Sequence, residues 1–371
     1  MGITESVSHR RVPTDLSGGS LVVAAVIVYL LADLAVKLAG VTVFAFGIQV
    51  IGGSLTAGSL FSMVFDGLLV GLAVGLAGIG LSMTYSILDF ANFAHGDTVT
   101  VGAFLGWVAA YLFAGLGTGA ALADLFLFDT GQQLSVASAF LPVVVGLVVA
   151  GVGTVAVSLL VDRLTYRPMR EADNISLLIA SIGVALALRY LMAFVFGTQT
   201  SGVASSGARF QLVPGLSVTD NELALLVVSV VLMVGVHFLL QRTKLGKAMR
   251  AMADNEDLAR VTGIPTERVI RLTWVLGGAL AGIGGYLLVL ESGTISFNFG
   301  WILLLLIFAA VILGGIGSIY GAMAGGALIG LVDSMALIWL PSGLTRAAAF
   351  AVLIAVLLLR PSGIFSGVST A

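Results

Sequence analysis

The chain has 371 residues, 59% of them hydrophobic and 10% charged, with a net charge of −2 and a mean hydropathy of +1.12. A soluble domain carries roughly 25% charged residues, and one soluble core could not enclose this much apolar surface, so lipid must be the solvent. With no cysteine and three scattered histidines, His9, His95 and His237, disulfides, thiolate chemistry and a metal-ligand spacing are excluded as well.

A helix needs about 20 apolar residues to cross the hydrocarbon. In chain order the apolar runs predict spans near 21–39, 60–87, 98–118, 138–161, 175–196, 222–240, 270–290, 300–316, 320–340 and 344–359. The runs do not alternate as barrel strands do. The expected fold is therefore all-α, a polytopic transmembrane bundle of about ten spans. The first span lacks a convincing cleavage site and reads as a retained helix. Residues 41–58 are rich in Gly and Ser and read as an interfacial piece, and the run 60–87 exceeds one crossing, so it tilts or extends. Residues 119–137 form an outer loop with Asp124 and Asp129 but no Lys or Arg, and 197–221 reads as a turn-rich outer loop. With the N-terminus inside, thirteen of the seventeen Lys and Arg residues fall on the cytoplasmic side, which places both termini there.

No segment on either side is long enough to fold as a catalytic domain. A P-loop needs Lys followed by Ser or Thr, and none of Lys37, Lys244 and Lys247 is so followed. ATP hydrolysis within this chain is excluded. Ionisable residues inside spans are costly and mark function or structure; here they are Asp33, Asp66, Arg189 and Asp333. Asp33 and Lys37 stand four apart, the spacing of a structural helix pair. Nothing resembles a proton-relay chain of carboxylates. Four-spaced glycines, Gly67/Gly71/Gly75, Gly278/Gly282 and Gly326/Gly330, read as helix contacts.

Residues 241–271 hold seven of the seventeen Lys and Arg residues. Residues 247–261 predict a short helix, Gly263 its C-cap, Pro265 a stop, and Thr266 the cap of a helix re-entering the membrane. A basic loop on anionic lipid is the plain alternative, but it needs neither the helix–Gly–Pro order nor Asp254, Glu256 and Asp257. Asn92–Asp97 interrupts the apolar runs. It is either a broken-helix element lining the pathway or a cytoplasmic turn that fixes packing; the span count places it inside, which favours the turn. Gly314, Gly315, Gly317 and Gly321 suggest a break between two half-spans, or packing.

The segment Asp257-Leu258-Ala259, then Gly263, resembles the EAA loop of ABC importer permeases. With Gly246–Asn255 and Arg268–Thr273, it is similar to the permeases of branched-chain amino acid ABC importers, the LivH/LivM type. Asn92-Phe93-Ala94-His95-Gly96-Asp97, Tyr166-Arg167-Pro168-Met169-Arg170 with Leu178–Gly183, and Val311–Ser318 with Gly321-Ala322 resemble further blocks of that family. The first of these favours the H-type subunit. Tyr320 departs from the Pro often found there. The resemblance covers residues 60–363, leaving 1–59 as an N-terminal extension with one extra span and 364–371 as a tail.

The resemblance implies a multi-pass cell-membrane permease, not an enzyme, for branched-chain amino acids; urea and short-amide importers have similar permeases, and a gradient-driven carrier is the reading from another class. It implies a second permease subunit, two cytosolic ATP-binding subunits that hold ATP and Mg²⁺, and an extracytoplasmic substrate-binding protein. The chain itself holds no cofactor, no metal and no nucleic acid. Arg250, Asp254, Asp257, Leu258, Ala259, Gly263 and Ile264 are the expected ATPase-docking residues. Asn92, His95, Asp97, Gly314, Gly315 and Gly317 are the pathway candidates.

Overall fold

The computed structural model describes residues 18–45, 48–116, 134–205, 207–213, 215–361 and 363–365. Arg10 and Arg11, Asp124 and Asp129, and the tail beyond Phe365 lie outside them. The chain divides into two compact units, Met1–Ala57 and Gly58–Ala371.

In the first unit, α1 (Gly18–Leu38) is followed by β1 (Thr42–Ala45) and β2 (Ile48–Gly52), an antiparallel hairpin. The predicted Asp33–Lys37 pair is present at 2.7 Å, and Asp33 Oδ1 also accepts the Gly52 N–H at 2.6 Å. Burying this charge is tolerable because both of its oxygens are engaged.

The second unit is a helical bundle. Its long elements are α2 (Ala57–Leu88), α3 (Ala94–Leu116), α4 (Phe140–Val161), α5 (Asn174–Phe196), α6 (Asp220–Arg242), α9 (Thr266–Ser292), α10 (Phe299–Gly314), α11 (Ile319–Met335) and α12 (Thr345–Leu359). Among the described residues nine helices are long and apolar enough to cross a membrane, and Phe299–Gly314 is a shorter apolar helix. Each of the ten predicted spans thus has its helix. Between α6 and α9 stand two short helices, α7 (Lys244–Asp254) and α8 (Glu256–Val261). The 197–221 stretch is more ordered than its turn residues suggest: β4 (Arg209–Val213) and β5 (Leu216–Thr219) pair as a hairpin, and β3 (Ser201–Gly202) pairs with β6 (Thr294–Ile295). There Thr219 and Glu222 form a reciprocal capping box that starts α6.

In lipid the drive to pack helices comes from close contact and interhelical polar bonds, so glycines set the interfaces. On α2 and α11, a Cβ added at Gly71 would lie 2.8 Å from the Gly326 carbonyl oxygen, and one at Gly330 would lie 2.3 Å from that of Gly67. On α9, a Cβ at Gly282 would lie 2.2 Å from Thr154 Oγ1 of α4. The four-spaced glycines are helix contacts, as the sequence suggests. The outward faces of α4 and α5 are apolar, with Val152, Ile179 and Phe194 exposed, an inside-out pattern that suits lipid rather than water.

Candidate functional site

The polar segment after α6 is built from its caps. Thr243 Oγ1 accepts the Gly246 N–H at 3.1 Å and opens α7. Asn255 adopts an extended backbone, ends α7, and its Oδ1 accepts the Leu258 N–H at 2.8 Å to open α8. The single helix expected over 247–261 is therefore two, because Asn255 satisfies orphan N–H groups better as a cap than as a mid-helix residue. Gly263 has φ +85° and follows the cap residue Thr262. Its N–H bonds the Arg260 carbonyl at 3.1 Å, and the Ile264 N–H bonds the Ala259 carbonyl at 3.0 Å. This is the 5→2 and 6→1 pair of a Schellman ending: the C-cap is Thr262, and Gly263, expected as the C-cap, lies one position beyond it. Pro265, not Thr266, caps α9.

This segment has two sides. Met249, Met252 and Ala259 are buried, Ile264 is half-buried, and Arg250 donates to the Leu240 carbonyl at 2.9 Å, capping the end of α6. The other side is bare: Asp254 and Asp257 are exposed, Leu258 is 62% exposed and Val261 85% exposed. Of the expected docking residues, Arg250, Ala259 and Ile264 seat the segment, whereas Asp254, Asp257 and Leu258 face outward.

 Gly263 turns the chain from α8 toward α9.

The start of α9 ties this segment to the bundle. Glu267, in its first turn, bonds Arg170 and lies 3.9 Å from Arg167. Arg170 also reaches Asp162 at 3.3 Å. Partial burial works against the Arg170 charge, but its bonds to Glu267 and Asp162 outweigh that and push its pKa above the ordinary guanidinium value. Between these charges the chain makes a π turn (Asp162–Tyr166) and a 3₁₀ turn (Arg167–Met169), which carry Tyr166 inward. The Tyr166 ring stacks on Trp274 of α9, with centroids 5.2 Å apart, and its hydroxyl donates to Asn92 Oδ1 at 3.0 Å.

Asn92 sits in the break between α2 and α3. Its Oδ1 also accepts the Ala94 N–H at 3.1 Å, and the Phe93 N–H donates to Ser181 Oγ at 3.0 Å. His95 Nε2 lies 2.8 Å from the Ala77 carbonyl oxygen, so that nitrogen carries the proton. Asp97 is fully buried and takes a two-point bond from Arg189, Nε to Oδ1 at 3.0 Å and a terminal nitrogen to Oδ2 at 2.8 Å. The Arg189 guanidinium also lies 4.3 Å from the Trp301 ring centroid, a cation–π contact. Asn92, His95 and Asp97 are thus bonded into the interior of the second unit.

The glycine block lies elsewhere. Gly314 ends α10 in close approach to Gly321 of α11; Gly315 and Gly317 have φ +105° and +83° and make the turn between them. The Ser86 hydroxyl donates to the Gly317 carbonyl at 2.9 Å. Gly317 and Arg250 meet at one cleft of about 50 Å³, with Ser86, Gln241, Met249 and Tyr320 among its walls. Asn92, His95 and Asp97 do not line it. Tyr320 is held there by His237 Nδ1 at 2.8 Å and Gln241 Nε2 at 3.0 Å. Sequence reasoning quoted Tyr166 and Arg170 only as part of a family block, with no role, and did not single out Trp274 or the Arg170–Glu267 pair. The visible signal was an aromatic and two cations packed into one five-residue block after a span.

A family model described as branched-chain amino acid transport system / permease component matches residues 63–359. The high-affinity branched-chain amino acid transport system permease protein LivH of Escherichia coli strain K12 is 31% identical over 309 residues, covering 81% of this chain and 94% of that protein. The corresponding permease protein BraD of Pseudomonas aeruginosa is 29% identical over 310 residues, covering 81% and 93%. A probable branched-chain amino acid transport permease protein LivH of Methanocaldococcus jannaschii is 28% identical over 312 residues, covering 82% and 90%. No solved structure matches the chain significantly.

Proposed function

Because this chain belongs to the family of branched-chain amino acid transport system permease components, we propose that it is the transmembrane subunit of an ATP-driven importer of branched-chain, hydrophobic amino acids. The family is a transport component rather than an enzyme, and the chain is a multi-pass membrane protein. Both termini and the 241–271 segment face the cytoplasm. The chain pairs with a second permease subunit. Two cytosolic subunits bind ATP and Mg²⁺, and an extracytoplasmic binding protein delivers the amino acid.

The observation that carries this reading is the two-sided build of α7 and α8. Leu258 and Val261 stand exposed on α8, while Ala259 of α8 and Met249 and Met252 of α7 are buried. An apolar ridge with a charged rim suits insertion into a groove on a partner, and lipid attraction alone calls for basic charge rather than Asp254 and Asp257. Force applied to α8 passes through the Gly263 turn into α9. There the Glu267–Arg170 bond and the Trp274–Tyr166 stack lead to Asn92 at the α2–α3 break. ATP binding then favours one of two conformations of the permease pair, and the pathway alternates between facing out and in. Asn92, His95, Asp97 and the glycines of 314–317 are the parts of this chain that hold or turn the helices around that pathway.

The test is reconstitution with the companion subunits, with uptake of leucine measured against urea. Leu258→Asp and Val261→Asp are expected to abolish co-purification of the ATPase subunit and leucine uptake, with normal amounts of the chain in the membrane. Full uptake by both variants sinks the docking role. Uptake of urea in place of leucine assigns the importer to short amides.

A further inference from the structure

The two ends of α2 meet different surroundings. Near its C-terminal end, Met83, Ser86 and Ile87 line the cleft beside α7. Twenty residues earlier, about 30 Å along a helix axis, Asp66 borders a second cavity, of about 410 Å³. Its walls include Val70 of α2, Asp333 of α11, Leu337 and Ser342 of the connection that follows, and Arg346 of α12. That separation equals the thickness of the hydrocarbon, roughly 30 Å, so the cavity stands across the membrane from the docking segment.

Its charges differ from the others in the chain. Asp33, Asp97 and Asp162 each have a cationic partner within 3.3 Å. Among the described residues, neither Asp333 nor Arg346 enters an ion pair. One carboxylate oxygen of Asp333 is closed off from solvent and has no hydrogen-bond partner. An orphan acceptor at depth is costly unless something meets it. Among the described residues no group of three His or acidic side chains is arranged to hold a metal ion. The cavity has the size of a small-molecule site, with carboxylates and a guanidinium held apart around aliphatic walls.

We propose that this cavity is the outer reception site for the transported amino acid. Asp333 and Asp66 take the α-ammonium, Arg346 takes the α-carboxylate, and Val70 and Leu337 face the aliphatic side chain. The assignment deepens the amino acid reading above and rests on it. It asks for a zwitterion, because a neutral amide leaves both charges unmet. An Arg–carboxylate bond is among the stronger charge-assisted bonds and fixes orientation.

The chain has no cysteine, so Ser342→Cys places a single thiol at the cavity wall. The complete importer, reconstituted with its binding protein, is exposed to a membrane-impermeant maleimide, and labelling is read on this subunit by mass. Labelling is expected from the outer side and is expected to slow when leucine-loaded binding protein is present. Adding Arg346→Gln is expected to remove that protection. In uptake assays Arg346→Gln and Asp333→Asn should each raise the leucine KM about tenfold or more, with Arg346→Lys intermediate. Labelling only from the cytoplasmic side overturns the assignment. So does an unchanged KM together with unchanged protection in a wild-type background that imports leucine. A wild-type importer that moves urea and no leucine overturns the amino acid reading, and the assignment with it.

Discussion

Asp97 and Arg189 show how a residue becomes intelligible only with its partner. A charge in a span stands out in the sequence, and Arg189 does so. Its partner sits 92 positions away in a polar run, and no local spacing joins them. The same holds for Asn92, whose bond to Tyr166 spans 74 positions. By contrast the Asp33–Lys37 pair, four apart, was readable at once. Breaking a buried pair leaves an uncompensated charge and costs about 3–5 kcal/mol, whereas replacing both partners with apolar groups is often neutral. Arg189→Met alone is therefore expected to lower the stability of the detergent-solubilised chain by that amount. Asp97→Leu combined with Arg189→Met is expected to recover most of it, as read from the unfolding midpoint. Equal losses in the single and double variants would show that the pair does not account for the cost.

Among the elements, the helices were legible and the joints less so. Ten apolar runs of sufficient length announce ten helices because lipid imposes that length. The two-helix form of the docking segment was not seen, since Asn255 reads equally as a tolerated helical residue and as a cap. The strands of 201–219 were missed because their pairing rests on turn geometry and on a partner at Thr294, not on an alternating pattern. Gly263 was read for its role one position early, yet for the right reason. Its positive φ costs an ordinary L-residue about 1–2 kcal/mol, and Asn tolerates it best after Gly. With no atom within 4 Å of an added Cβ, strain there arises from the backbone alone. Gly263→Val is expected to uncouple ATP hydrolysis from uptake, and Gly263→Asn to keep much of the coupling. Identical behaviour of the two variants in a coupled ATPase and uptake assay would remove the turn from the mechanism.

At the scale of the molecule, composition fixed the solvent, and the long polar segment marked where the proposed partner would meet the chain. The cavity beside Asp333 stayed hidden because its walls come from residues 66–70 and 330–346, far apart in sequence. One further consequence follows from α10. Its 16 residues extend about 24 Å, short of the roughly 30 Å that a lone span needs. Yet most of its side chains are enclosed by protein, and Gly314 meets Gly321 of α11 at backbone distance. During synthesis, then, α10 should not leave the translocon alone; it should wait for α11 and enter the bilayer with it as one hairpin. In a glycosylation-mapping assay, chains arrested just after Gly314 are expected to show this segment not integrated, and chains extended through Met335 to show it integrated. Stable insertion of the shorter product would place the cue for biogenesis in α10 by itself.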